Sequence, residues 1–304
     1  MGILIFLMII FSSFFINGVI IRTKSFLSGR KGPGILQPMK DIRRLFRKGS
    51  VYSETTSFIF QIAPTIYFAS LLIAIAMIPL GNQSGIISFN GDFVFFAYIL
   101  GLGKFFNIIA ALDTGSSFEG MGASREALYS MLSEPAFFIL MGSFALLTGH
   151  TSFRGIFGSL HLGTSISYAV AVLAAFVITI ISLVENSRLP IDDPKTHLEL
   201  TMVHEVMILD NSGFDLGLIL LGTNLKFAMY GTLIANLFLS PGNEFYFSLP
   251  IFILTQILFA ISIGFIESFM ARFRMNHNPH YIFTLTSVSL LIFLGVLLLL
   301  GKIA

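Results

Sequence analysis

Apolar residues run along this chain in long blocks, broken by short polar stretches. A bilayer core of about 30 Å takes roughly 20 apolar residues of helix. Eight segments qualify, at about 2–21, 59–80, 93–112, 135–150, 166–184, 216–239, 249–270 and 281–301. The fourth is the shortest. Turn signals separate the blocks: Gly81-Asn82, Gly91-Asp92, Pro241-Gly242-Asn243 and Asn276-His277-Asn278-Pro279. Pro64 lies near the start of a span, where its missing N–H costs little. The pattern predicts an all-α integral membrane protein, a single transmembrane domain over residues 1–304 with eight transmembrane helices.

Composition agrees. Only 11% of residues are charged, against about 25% in a soluble domain. The N-terminal MGILIFLMIIFSSFFINGVII lacks a basic leader and a small-residue cleavage site, so it reads as a retained first span. The chain has no Cys, hence no disulfide, thiolate metal site or iron–sulfur cluster of its own. Any electrons must travel in a partner. A net charge of +2 gives no reason to invoke nucleic acid.

Basic residues set the orientation. Nine of the 18 Lys and Arg fall in 22–58: Arg22, Lys24, Arg30, Lys31, Lys40, Arg43, Arg44, Arg47 and Lys48. Alternate loops add Arg125, Arg188, Lys195, Arg272 and Arg274 to the same side, while Arg154 and Lys302 fall on the other. The positive-inside rule then makes 22–58, 113–134, 185–215 and 271–280 cytoplasmic and puts both termini outside. Within the first loop, Ile35, Leu36, Met39, Ile42, Leu45 and Phe46 recur at helical spacing opposite Lys40, Arg43, Arg44 and Arg47. That predicts a cytoplasmic amphipathic helix after the first span, touching lipid headgroups or a docked protein. The Gly32-Pro33-Gly34 turn is no phosphate loop, since no Gly-Lys-Ser/Thr follows.

Chemistry concentrates in one place. Of 16 acids, seven lie in 185–215: Glu185, Asp192, Asp193, Glu199, Glu205, Asp210 and Asp215. Acids beside a bilayer are costly and typically handle cations. Glu185 and Arg188, three apart at the end of a span, suit an ion pair. Asp192 or Asp193 is placed to cap a helix starting near Lys195. His197, Thr201 and His204 would share a face of it. His204-Glu205 is not a zinc-protease motif, because Ile208 stands where the second His belongs. His197 and Glu199 with His204 and Glu205 suit proton exchange near neutral pH, and carboxylates this close titrate as a coupled set. Elsewhere Lys104 and Lys226 interrupt apolar spans at about 2.5–3.5 kcal/mol each, so each needs a carboxylate or a wet cavity. Glu126 and Glu134 stand at the cytoplasmic mouth of the fourth span, with Arg125 as a neighbour to either. Glu267 lies near the cytoplasmic end of its span, where an interfacial position is the plainer reading.

Three segments occur in order among the eight spans: GRKGPGILQPMKDIRRLF, GASREALYSMLSEP and ENSRLPIDDPKTHLELTMVHEVMILDNSG. Together they resemble one membrane component shared by respiratory complex I (mitochondrial subunit 1 and its bacterial counterpart) and the group 4 membrane-bound [NiFe]-hydrogenases. The likeness covers essentially the whole chain and leans to the hydrogenase-4 and formate hydrogenlyase branch. Glu185, Arg188, Pro190, Asp192 and Glu199 match the complex I pattern, but His197 stands where that branch usually has an acid, which counts against a quinone site. The resemblance implies a subunit of an oxidoreductase complex in the bacterial or archaeal cytoplasmic membrane, carrying no redox centre or metal itself. Its expected partners are an iron–sulfur small subunit with [4Fe-4S] clusters, a large subunit with the [NiFe] centre, and antiporter-like membrane subunits. It implies coupling roles for Glu126, Glu134, Glu185, Asp192, Glu199 and Glu205. His197, His204, Lys104, Lys226 and Glu267 join them from the cost of burial and from proton chemistry. Arg30, Lys31, Arg43, Arg44, Arg47, Arg125 and Arg188 are the candidate docking cations. The rival readings are the equivalent membrane component of an NADH– or other donor–quinone oxidoreductase, a stand-alone secondary transporter, and a purely structural anchor. No internal repeat supports a transporter of inverted halves.

Overall fold

The computed structural model describes residues 1–160, 165–193, 202–239 and 245–300, with side chains excluded at 165–167. The described residues form helices joined by loops: α1 Gly2–Leu27, α2 Gln37–Leu45, α3 Phe58–Met77, α4 Asp92–Asp113, α5 Ser117–Thr148, α6 Phe153–Ser159, α7 Ser165–Glu185, α8 His204–Met207, α9 Gly213–Phe238, α10 Phe245–Phe269 and α11 Asn278–Leu299. Eight of them, all but α2, α6 and α8, belong to segments long and apolar enough to cross a membrane.

One helix is central. The apolar window of α9 is 83% buried, against 28–56% for the other spans. It touches α1, α2, α3, α7 and α10. Small residues allow this, because a backbone without bulk lets a neighbouring helix come close. Gly222 faces Tyr67 and Leu71 of α3, Gly231 faces Gln256 and Phe259 of α10, and Gly217 faces Phe46. The outer helices bury one stripe only. On α1 that stripe includes Ile5, Ile9, Ile16 and Ile20.

The fourth span departs from its hydropathy reading. Instead of an apolar 135–150 after a loop, α5 is one helix of 32 residues, about 48 Å at 1.5 Å per residue. Its first half looks polar because the polar residues point inward: Glu119, Glu126, Ser130 and Ser133 are buried with Gly122, Ala123 and Tyr129. Hydropathy registers how polar a residue is, and not which way it faces.

α2 occupies the segment expected to be amphipathic. It buries Ile42, leaves Lys40, Arg43 and Arg44 exposed, and packs on α1 and α9. On the opposite side, loop polar groups are tied down. Asn236 accepts from the Gly81 amide and donates to the Pro79 carbonyl, each at 2.8 Å, while Asp92 accepts from the Phe153 amide at 2.6 Å.

Candidate ion-coupling site

Four spans each deliver one charge to a single buried point. Lys104 of α4 lies 2.7 Å from Glu185 Oε1 and 3.2 Å from Glu126 Oε1 of α5. Glu185 is the last residue of α7, and its Oε2 lies 3.4 Å from the ammonium of Lys226 on α9. That ammonium also donates to the Glu185 carbonyl at 3.3 Å and stands 5.3 Å from the Tyr67 ring centroid. Ser133 donates to Glu185 Oε1 at 3.4 Å, and Ser187 to Glu126 Oε2 at 3.1 Å. Two lysines and two glutamates make the cluster neutral, which is how four charges can be buried together. Lys104 and Lys226, singled out by their insertion cost, both find carboxylates.

A cavity of about 40 Å³ adjoins the cluster, lined by Lys104, Ser133, Glu134, Glu185 and Tyr230 together with apolar side chains such as Phe96, Leu100 and Phe137. Most of the wall is apolar, but the space has room for a few waters held at these polar groups. Glu134 itself is exposed on the outer face of α5, beside exposed Tyr98, Leu102 and Met131.

The expected Glu185–Arg188 pair does not form. α7 ends in a Schellman turn, with Ser187 N–H bonded to the Val184 carbonyl and Arg188 N–H to that of Leu183, and with Ser187 at φ 46°. Arg188 therefore leaves the helical register in which i,i+3 partners meet. It turns to α10 instead, where its Nε donates to Glu267 Oε1 at 2.5 Å and its guanidinium sits 5.5 Å from the Phe227 centroid. Lys24 of α1 holds the other oxygen of Glu267 at 3.1 Å. Two expectations change as a result. Glu267 is buried between two cations instead of exposed at the end of its span, and Arg188 is interior, out of reach as a docking arm.

Asp192 serves a third arrangement. Its Oδ1 pairs with Arg272 at 2.6 Å and its Oδ2 accepts the amides of Val203 and His204 at 3.0 and 3.3 Å. It thus clamps the start of α8; the helix expected from Lys195 lies outside the described residues, as do His197, Glu199 and Thr201. His204 and Glu205 are half-buried on α8, which packs on α5 where Gly122 meets Val203 and Val206. Arg125 donates to the Met202 carbonyl at 3.0 Å. Arg30, Lys31, Arg43, Arg44 and Arg47 are all exposed, and Arg44 makes a surface pair with Asp41 at 3.3 Å. Outside the spans, Tyr52 donates to Asp215 at 2.7 Å, a bond that holds its phenol above the usual range.

Sequence reasoning passed over Lys24, Arg272, Tyr67, Ser133, Ser187 and Asn17, whose Oδ1 accepts from Arg188 at 3.4 Å. A signal existed for Asn17, a polar residue inside an apolar run. None existed for Ser187, whose role depends on the turn it occupies.

Comparisons with known proteins agree on kinship. The family model described as NADH dehydrogenase matches residues 1–298. Hydrogenase-4 component C of Escherichia coli K12 is 30% identical over 227 residues, 75% of this chain and 71% of the relative. Formate hydrogenlyase subunit 4 of the same organism is 27% identical over 274 residues, 87% of each chain. Among solved structures, a chain of an archaeal respiratory complex, the membrane-bound sulfane sulfur reductase, superposes with a TM-score of 0.81. It covers 97% of this chain and 98% of its own at 21% identity, a likeness of fold.

Proposed function

Because the chain belongs to the NADH dehydrogenase family, we propose that it anchors the redox arm of a membrane-bound [NiFe]-hydrogenase, of the kind that includes formate hydrogenlyase, and couples that arm to ion movement. It is an integral protein of the prokaryotic cytoplasmic membrane and a subunit of a multi-subunit complex. The hydrogenase form is favoured over a quinone-reducing one by relatives named for hydrogenase-4 and formate hydrogenlyase. The iron–sulfur and [NiFe] subunits of the redox arm and the antiporter-like membrane subunits are its proposed neighbours.

The observation that carries the coupling role is the neutral cluster Lys104, Glu126, Glu185 and Lys226. Glu185 bridges both lysines. One proton added to it leaves a net positive charge in a low-dielectric interior, where charges interact far more strongly than in water. That favours release of a proton from the same coupled set. Glu134, which lines the same small cavity and is exposed on the outer face, offers the exit. An exposed carboxylate on a lipid-depth face is costly, so a neighbouring membrane subunit is the natural cover. The positive-inside reading puts Asp192, Glu205 and His204 on the cytoplasmic side of this path, next to the loops that would contact the redox arm.

The test uses Glu134→Gln and Glu185→Gln in the intact complex, reading assembly, hydrogen turnover and ion uptake into inverted membrane vesicles. Glu134→Gln should leave assembly intact and lower ion uptake per hydrogen turned over at least severalfold. Unchanged uptake in both variants would sink the coupling role. A purified complex lacking a [NiFe] centre, with quinone-dependent turnover, would move the chain to the quinone branch.

A further inference from the structure

A groove of about 780 Å³ runs between α1 and α10, lined by Leu4, Phe11, Phe15 and Val19 on one side and by Ile253 and Ile257 on the other. Such a volume is within the roughly 300–1,000 Å³ of ordinary ligand sites. From Leu4 to Val19 the helix advances about 22 Å, longer than the ~15 Å half-thickness of a hydrocarbon core.

The two polar residues in the lining are turned away from an occupant. Ser12 donates to the Ile9 carbonyl at 2.8 Å, and Gln256 donates to the Ala228 carbonyl at 2.9 Å and to Thr232 at 3.0 Å. At membrane depth the groove therefore offers only hydrocarbon contact. Another helix would fit poorly, since helices pack closely through small residues and this lining is mostly Leu, Ile and Phe.

Charge waits at one end. Ile35 reaches the groove because its carbonyl lies where a side chain on Gly18 would stand. Arg22, less than one turn beyond Val19, is exposed and donates to the Gly32 carbonyl at 3.2 Å, which brings Lys31 beside it. Neither cation is in an ion pair with a described carboxylate. This is the end that the basic residues assign to the cytoplasm.

We propose that the α1–α10 groove is a site for an anionic phospholipid, with an acyl chain against Phe11, Phe15 and Ile257 and its phosphate at Arg22 and Lys31. The test is native mass spectrometry of the purified complex after equilibration with phosphatidylglycerol or phosphatidylcholine. Phosphatidylglycerol should be retained at least fivefold more than phosphatidylcholine. The variant Arg22→Gln, which leaves every candidate docking cation in place, should assemble normally and retain it roughly fivefold less, given the attraction of a surface cation for anionic lipid. Equal retention of the two lipids, or undiminished phosphatidylglycerol in the variant, overturns the proposal. So does a quinone held in its place, or crosslinking of Ile257→Cys to a helix of another subunit in native membranes.

Discussion

Glu185→Gln should hurt the protein through Lys226 more than through Lys104. The substitution keeps shape and removes one negative charge. Lys104 retains Glu126 at 3.2 Å, while Lys226 loses its carboxylate partner and keeps the Glu185 carbonyl at 3.3 Å and the Tyr67 ring. The side chains of Lys226 and Glu185 are 4% and 11% exposed, so solvent screens little. Leaving a buried charge without its partner costs about 3–5 kcal/mol. At ~2 °C or more per kcal/mol, the melting point of the complex should fall by roughly 6–10 °C. Adding Lys226→Met restores neutrality and should recover about 2 kcal/mol of that loss, whereas adding Lys104→Met should recover less, because it strands Glu126. Thermal melting of the purified wild type, three single variants and two doubles measures both couplings. Equal rescue by the two lysine substitutions, or none by Lys226→Met, would refute the assignment of Lys226 to Glu185.

Two further outcomes follow from the geometry. Ser187→Ala keeps the strained positive φ and removes the hydroxyl bonded to Glu126, while Ser187→Gly relieves the strain; the glycine variant should be more stable by about 1 kcal/mol in denaturant titration, although both lose the bond. Glu267→Gln leaves Arg188 buried against a neutral amide and should cost about 3–5 kcal/mol, whereas Lys24→Gln, at the more exposed partner, should cost about 1 kcal/mol or less; similar melting points for the two would contradict the buried pair.

Much of the site was legible from residue types alone. Lys104 and Lys226 announced themselves because an ammonium in an apolar span needs compensation, Glu126 because acids are scarce outside the 185–215 loop, and Glu185 because it stands at the end of a span where that acid-rich loop begins. Their pairing was not legible. Lys104 meets Glu185 across 81 residues, and no spacing rule reaches that far. Local rules failed at Arg188, because the helix ended too soon for them to apply. They failed again along α5, where inward-facing polar residues read as a loop.

Sequence alone determined the material of the protein: eight apolar helices, a basic side, and a few charges too expensive to be idle. These are properties of residues against lipid and water, which each stretch expresses by itself. Tertiary structure decided how the charges were shared. It gave Glu185 two lysines and sent Arg188 to Glu267. It left Glu134 on the outer face. Those choices depend on where helix ends point and which faces meet, and only the packing around α9 fixes both.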